Sequence, residues 1–184
     1  ERLIRINAVG SPEERTDPTN HSNSSFPVYA DYRSETALFT GLAAYSDWIA
    51  LHIAEGQGTP QRVTGALVTG NYFEVLRARP AYGRTLAPSD DIERDGHPVA
   101  VISETLSRRL FGGPDPTGRT LRINGRPFMI VGAMPAGFGG VNLDSRPLVW
   151  MPMAMHSAAA PDWSARRPGR VVPRVGRDAG GAAH

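Results

Sequence analysis

Short apolar runs separated by Gly- and Pro-rich turns dominate the hydrophobic pattern of this chain. Alternating runs predict strands at residues 3–6, 48–53, 61–68 and 148–153. The run at residues 98–102 is almost continuously apolar, which predicts a strand buried on both faces. The pattern therefore predicts a chain built mainly from short strands.

Helical spacing of apolar residues occurs at three places. Residues 28–45 carry apolar side chains at three- and four-residue spacing, and Pro27 is placed to open this helix. A short helix is predicted at residues 71–76. Ser103 is the predicted N-cap of a third helix, which the glycine at Gly112 ends.

The strongest local signal is a predicted hairpin. Asn124 and Gly125 stand between the alternating runs 120–123 and 126–131, and Asn-Gly is the preferred type I′ turn. Pro127 cannot donate a backbone hydrogen bond, so its arm is predicted to lie at an edge or to begin beyond the ladder.

Composition places the chain among globular proteins. It has 184 residues, of which 40% are hydrophobic and 21% charged, and its 20 Gly and 16 Pro favour many short connections. The elements above then predict an α+β fold with mixed short β-sheets and two or three covering helices. From residue 157 onward the chain is rich in Ala, Gly, Pro and Arg without apolar periodicity, and we predict no ordered element there.

The net charge of +2 hides an uneven distribution. Residues 1–160 carry 15 Arg against 16 acidic residues, whereas residues 161–184 carry five Arg against two Asp. A nucleic-acid interface needs clustered positive charge on a folded element, so we predict no nucleic-acid partner. Every basic residue is Arg and Cys is absent, which excludes lysine chemistry, disulfides and thiolate catalysis.

Two patterns resemble reactive sites, and each has a structural explanation. Ser103 stands at a strand-to-helix turn, as a hydrolase nucleophile would, but Ile102 and Glu104 replace the glycines of a nucleophile elbow. Its N-cap role is therefore favoured. Gly112 and Gly113 follow a helix instead of opening one, which favours helix termination over a phosphate loop.

Three further groups of residues have the composition of possible binding sites. The acidic connection lacks the spacing of a calcium loop and is predicted to be solvated (Asp90, Asp91, Glu93 and Asp95). No two of the five His have metal-ligand spacing, and His52 is predicted to face solvent. Four aromatic residues could line a substrate groove, but a core position is favoured for them (Trp48, Tyr72, Phe73 and Trp150). We predict no catalytic, cofactor-binding or metal-binding residue.

The beginning of the chain has neither an initiator Met nor the apolar segment of a signal peptide. No apolar stretch approaches the roughly 20 residues that span a bilayer. We therefore expect a fragment of a longer protein.

Several motifs in order along residues 1–156 carry a family resemblance. They begin with the segments at residues 42–45, 69–76 and 79–85 and continue through 99–103, 108–113, 118–121, 128–132, 137–138 and 149–153. This series resembles the MacB-like periplasmic core domain of FtsX-like ABC transporter permeases, and most closely the acidobacterial-type duplicated orphan permeases.

The resemblance implies a non-catalytic periplasmic domain, inserted between the first two transmembrane helices of a permease. It implies a porter-like α/β part at residues 1–92 and a smaller β-rich part at 93–156. Residues 157–184 would form an aberrant or disordered tail. It also implies three partners: the membrane helices of the parent permease, a separate ATPase subunit, and an exported substrate or periplasmic partner. No cofactor is implied. The alternative is a free-standing extracytoplasmic ligand-binding module.

Overall fold

The computed structural model describes residues 2–3, 41–142, 144–159 and 170–175. Most of the predicted strand at 3–6 and the first part of the predicted helix at 28–45 lie outside these residues.

Nine strands and three α-helices are present in the described part of the chain. The strands are β1 Arg2–Leu3, β2 Gly41–Glu55, β3 Gln61–Val68, β4 Tyr82–Gly83, β5 Val99–Ser103, β6 Thr120–Ile123, β7 Arg126–Met134, β8 Val149–Pro152 and β9 Arg170–Val175. The helices are α1 Tyr72–Val75, α2 Glu104–Phe111 and α3 His156–Ala159, with 3₁₀ turns at Pro88–Asp91 and Met153–Met155.

Six of the strands hydrogen-bond in a closed ring. The order around the ring is β2, β3, β8, β5, β7 and β6, and β6 returns to β2 through the pairs Ile53 with Ile123 and Glu55 with Leu121. The β3–β8 and β5–β7 pairs are parallel and the other four are antiparallel. A ring of paired strands is a small barrel. This mixed architecture with few short helices confirms the predicted fold class.

Alternation along the ring strands separates two hydrophobic clusters. One face of each strand supplies the first cluster, whose ring members are Leu42, Ala44, Leu51, Ile53, Val63, Leu67, Ala100, Ile102, Leu121, Ile123, Phe128, Ile130, Val149 and Met151. Leu106 of α2 and Met155 of the second 3₁₀ turn belong to the same cluster, so these segments pack against it. Because side chains alternate with a period of two, the other face packs separately.

The second cluster lies on the opposite face of β3, β5 and β8. It joins Val68, Val101 and Trp150 of these strands to Tyr72 and Phe73 of α1. The strand β5 therefore contributes to both clusters and is buried along its whole length, as predicted.

Local signals in the sequence are confirmed at the predicted positions. The strand at 61–68 is β3, and the helix at 71–76 contains α1. Asn124 and Gly125 both have positive φ, 47° and 83°, and connect β6 to β7 as a type I′ turn requires. Pro127 pairs with Arg122 of β6 and lies outside the β5 ladder, which begins at Met129.

Two predictions are wrong. Residues 41–45 belong to β2 and not to a helix, because they pair with β9 on one side while Tyr45 pairs with β3 on the other. Residues from 157 onward were predicted to contain no ordered element, yet residues 157–159 belong to α3 and residues 170–175 form β9 between β1 and β2. The errors at 41–45 and 170–175 concern pairing between segments that are distant in sequence.

The strands before and after residue 92 form two arcs of one ring. β2 and β3 precede this residue, and they pair with β6 and β8, which follow it. The division into parts at 1–92 and 93–156 stays a prediction.

Candidate functional site

Five aromatic rings form a continuous cluster over the outer face of β8. We call Tyr45, Tyr72, Phe73, Phe138 and Trp150 the aromatic cluster. Neighbouring ring centroids lie 5.3 to 6.0 Å apart in edge-to-face or tilted arrangements. These geometries are favourable for aromatic pairs. Four of the rings come from strands and α1, and Phe138 alone comes from a loop.

Two polar groups of the aromatic cluster have different surroundings. The Tyr72 hydroxyl accepts the backbone N–H of Val141 at 3.2 Å, and burial raises the pKa of Tyr72 far above its usual value. Tyr72 therefore stays neutral. Trp150 is completely buried, and its Nε1–H finds no acceptor among the described residues. An unpaired buried donor costs about 1–3 kcal/mol.

A glycine-rich loop covers this pair of polar groups. Residues 135–142, which we call the strap, contain Gly137, Gly139 and Gly140. Gly140 has a φ of 75°, and a Cβ there would lie 2.8 Å from the Tyr72 hydroxyl. Only glycine combines this left-handed backbone with so close an approach.

The strap is attached at its two sides by different contacts. Phe138 packs against Phe73 and Trp150, with centroid separations of 5.8 and 5.4 Å. At the other side Asn142 donates its amide N–H to a carboxylate oxygen of Asp47 at 2.8 Å. The Phe138 ring is therefore held by packing, and the end of the strap by hydrogen bonds.

The four aromatic residues that could have lined a substrate groove do not share one environment. The predicted core position is confirmed for Tyr72, Phe73 and Trp150, which are at most 2% exposed. It is wrong for Trp48, which is 58% exposed. The register of β2 against β3 shifts between Ser46 and Ile49, and Trp48 adopts a left-handed φ of 63° within this bulge. The bulge directs Trp48 outward, and no local pattern in the sequence announces it.

Ser103 has the structural role that the sequence favoured. Its hydroxyl oxygen accepts the backbone N–H of Leu106 at 3.1 Å and caps α2. Gly112 ends the helix in the left-handed conformation, with a φ of 70°. Both predictions about this helix are confirmed.

The acidic connection is more ordered than predicted. Asp90 is buried and accepts hydrogen bonds from Arg84 at 2.6 and 3.0 Å and from the Ala87 N–H at 2.8 Å. Asp91 accepts from the backbone N–H groups of Gly70 and Ala154. The prediction of a solvated connection is wrong for both carboxylates, because protein groups satisfy them and Asp91 links the connection to Gly70 and Ala154.

The histidines show no common site. His52 is exposed, as predicted, and His97 is exposed too, while His156 is half-buried. His21 and His184 lie outside the described residues. The prediction that the chain has no catalytic, cofactor-binding or metal-binding residue stays a prediction.

Comparison with protein families assigns the chain to a family. Residues 1–173 match the MacB-like periplasmic core domain. The chain therefore belongs to the MacB-like periplasmic core domain family, which confirms the resemblance seen in its motifs and the periplasmic location expected from it.

Curated relatives are larger proteins. The chain is 30% identical over 149 residues to the macrolide export ATP-binding/permease protein MacB of Azoarcus sp. (strain BH72), covering 80% of this chain and 22% of the relative. It is 33% identical over 85 residues to the MacB protein of Chlorobaculum tepidum, covering 46% of this chain and 13% of the relative. The chain thus spans about a fifth of the length of the first relative.

Solved structures share the fold. The periplasmic region of MacB from Actinobacillus actinomycetemcomitans matches with a TM-score of 0.69 at 18% identity, covering 96% of this chain and 75% of that one. The extracellular domain of the noncanonic ABC-type transporter YknZ from Gram-positive bacteria gives the same TM-score at 16% identity, covering 97% and 86%. In the described part of this chain, the helices are all too short or too polar to cross a bilayer.

Proposed function

We propose that this chain is the extracytoplasmic domain of an ABC-type permease and couples movement of the membrane helices to export or to a periplasmic partner. It performs no chemical step itself. The observation that carries the proposal is the arrangement of β1, β9 and β2, which joins the first and last described strands to the barrel.

The connection between these strands and the barrel is one long strand. Arg2 pairs with Val175, and β9 pairs with residues 41–45 of β2. The same strand continues to Glu55, where it closes the ring with β6. A displacement of β1 and β9 is therefore passed along the backbone of β2 into the barrel.

Two packed clusters support movement of the barrel as a rigid body. The ring strands bury one cluster on each face, and Leu51, Ile53 and Trp150 are completely buried. Close-packed interiors shift as units and do not deform continuously. This packing supports a mechanical role.

Spin-label distances in the full-length protein test the coupling. Arg62 on β3 and Glu74 on α1 are exposed, and this chain has no Cys, so Arg62→Cys and Glu74→Cys add two labelling sites to it. We expect the distance between these two labels to stay the same with and without ATP. The distance from Glu74→Cys to a label in a membrane helix is expected to change.

Two outcomes would contradict the proposal. A nucleotide-dependent change in the distance between the labels at residues 62 and 74 would show that the domain deforms. Unchanged distances to the membrane helix in an actively hydrolysing protein would show that the domain does not move. Single-cysteine variants control for the effect of each label.

A separate experiment tests the proposal that this chain performs no chemical step. The purified 184-residue chain is expected to release no phosphate from Mg-ATP, and a fluorophosphonate probe is expected to leave Ser103 unlabelled. Phosphate release by this chain alone would overturn the assignment. The relatives are named as ATP-binding/permease proteins, which supports an ATPase within the parent protein; the separate ATPase subunit stays a prediction.

A further inference from the structure

The aromatic cluster contains a buried hydrogen-bond donor that none of the described residues accepts. Trp150 is completely buried, and its Nε1–H has no acceptor among the described residues. Buried indole N–H groups normally find a partner. This exception lies beside Phe138, whose ring is 5.4 Å from that of Trp150.

The strap is less firmly packed than the helix and strand that it covers. Tyr72, Phe73 and Trp150 lie on a helix and a strand of the packed barrel, whereas Phe138 lies on the strap and is only partly buried. Around Phe138 the strap consists of glycine and small residues, and a Cβ at Gly137 would meet no atom within 4 Å. The Phe138 ring is thus the element of the cluster that can leave with the least disruption.

We propose that the strap is the lid of a small-molecule site, in which an uncharged ring compound replaces the Phe138 side chain. The ring of the ligand lies against Phe73 and Trp150. A carbonyl or hydroxyl oxygen on that ring accepts the Nε1–H of Trp150. The site goes beyond mechanical coupling and does not depend on it.

The surroundings select a neutral ligand. No charged side chain belongs to the aromatic cluster, and a buried unpaired charge is strongly unfavourable. Asp47 accepts the Asn142 amide at the end of the strap and interacts electrostatically with Tyr72, so it would repel an anion. Apolar walls with one oriented donor are typical of small-molecule sites.

Nuclear magnetic resonance of the ¹⁵N-labelled 184-residue chain tests the site directly. The chain has three Trp, and the variants Trp48→Phe and Trp163→Phe identify the indole signal of Trp150 by elimination. Benzamide, an uncharged ring with a carbonyl oxygen, is the probe. We expect it to shift the Trp150 indole proton downfield in a saturable manner, whereas toluene and benzoate leave the proton in place.

Removing the Phe138 ring gives a second test, because this ring competes with the ligand for the site. Phe138→Ala is expected to tighten benzamide binding about tenfold, because the ligand no longer displaces an aromatic pair. Phe111→Ala is the matched control, since Phe111 lies on α2 and packs with the first cluster. This control is expected to leave the affinity unchanged.

Three results would contradict the proposed small-molecule site. The first is a Trp150 indole signal that benzamide does not move in either the parent chain or Phe138→Ala. The second is an equal shift with toluene or benzoate, since toluene has no acceptor and benzoate is charged. The third is a water molecule on Nε1 that remains bound when benzamide is saturating.

Discussion

Gly132 lies on β7 opposite Gly83 of β4, where the two backbones are close together. A Cβ there would overlap the carbonyl oxygen of Arg84 and lie 2.7 Å from that of Tyr82. Both obstacles are backbone atoms, so they cannot rotate away. Gly132→Ala is therefore expected to lower the free energy of unfolding by about 2 kcal/mol.

Urea denaturation followed by circular dichroism measures this change. Gly113→Ala is the control, because a Cβ at Gly113 meets no atom within 4 Å and its φ is not positive. Equal stability of the two variants would contradict the close approach at Gly132.

Asp90 makes the stability of the chain depend on pH. Burial alone would raise the pKa of Asp90, but its hydrogen bonds with Arg84 and with the Ala87 N–H outweigh burial and hold the pKa below its ordinary value. A lowered pKa in the folded state stabilises the fold above the unfolded pKa of about 3.9, and this contribution is lost as the pH falls through the folded value.

The comparison of Asp90→Asn with the parent chain isolates this effect. We expect the variant to be less stable by about 1–2 kcal/mol at pH 7, because it loses a charge-assisted hydrogen bond to Arg84. The difference in the free energy of unfolding between the parent chain and Asp90→Asn should be constant above about pH 5 and shrink below about pH 4. A difference that grows on acidification in urea titrations would refute the sign of this argument.

At the scale of elements, α2 depends on its N-terminal cap. The Ser103 hydroxyl satisfies the N–H of Leu106, and Ser103 is almost completely buried. Ser103→Ala removes this acceptor and is expected to lower the free energy of unfolding by about 1 kcal/mol. Ser103→Thr retains the hydroxyl and should restore most of the loss in thermal denaturation. Equal losses in both variants would mean that packing, and not the cap, matters at this position.

Elements that depend on their own residues were predictable from the sequence. The cap at Ser103, the helix end at Gly112 and the turn at Asn124-Gly125 each arise from hydrogen bonds or φ angles within a few residues. The aromatic cluster was predictable in part, since three of its five rings were assigned to the core.

Elements that are stabilised by segments distant in sequence were not predictable from local patterns. Residues 42–45 are all buried, so their apolar run has no period that separates a strand from a helix. The strand β9 gains its order from pairing with β2, about 130 residues earlier in the chain. The ring closure, the outward turn of Trp48 and the placement of Phe138 over Trp150 likewise follow from contacts that no single segment encodes.

At the scale of the whole molecule, the ring predicts one cooperative unfolding unit. β2 and β3, which precede residue 92, complete a ring with the four strands that follow it, and both sets contribute to the first cluster. We expect denaturation curves from tryptophan fluorescence and from far-ultraviolet circular dichroism to coincide. Two separated transitions would favour independent folding of the parts at 1–92 and 93–156.

The adjacency of β1 and β9 determines how the domain responds to tension. Tension on the backbone before Arg2 and after Val175 loads the hydrogen bonds of this antiparallel pair one after another. Such a peeling geometry yields at low force, whereas shearing would load all the bonds at once. A pulling experiment on these two points should therefore open the β1–β9 seam first, while the barrel keeps its shape.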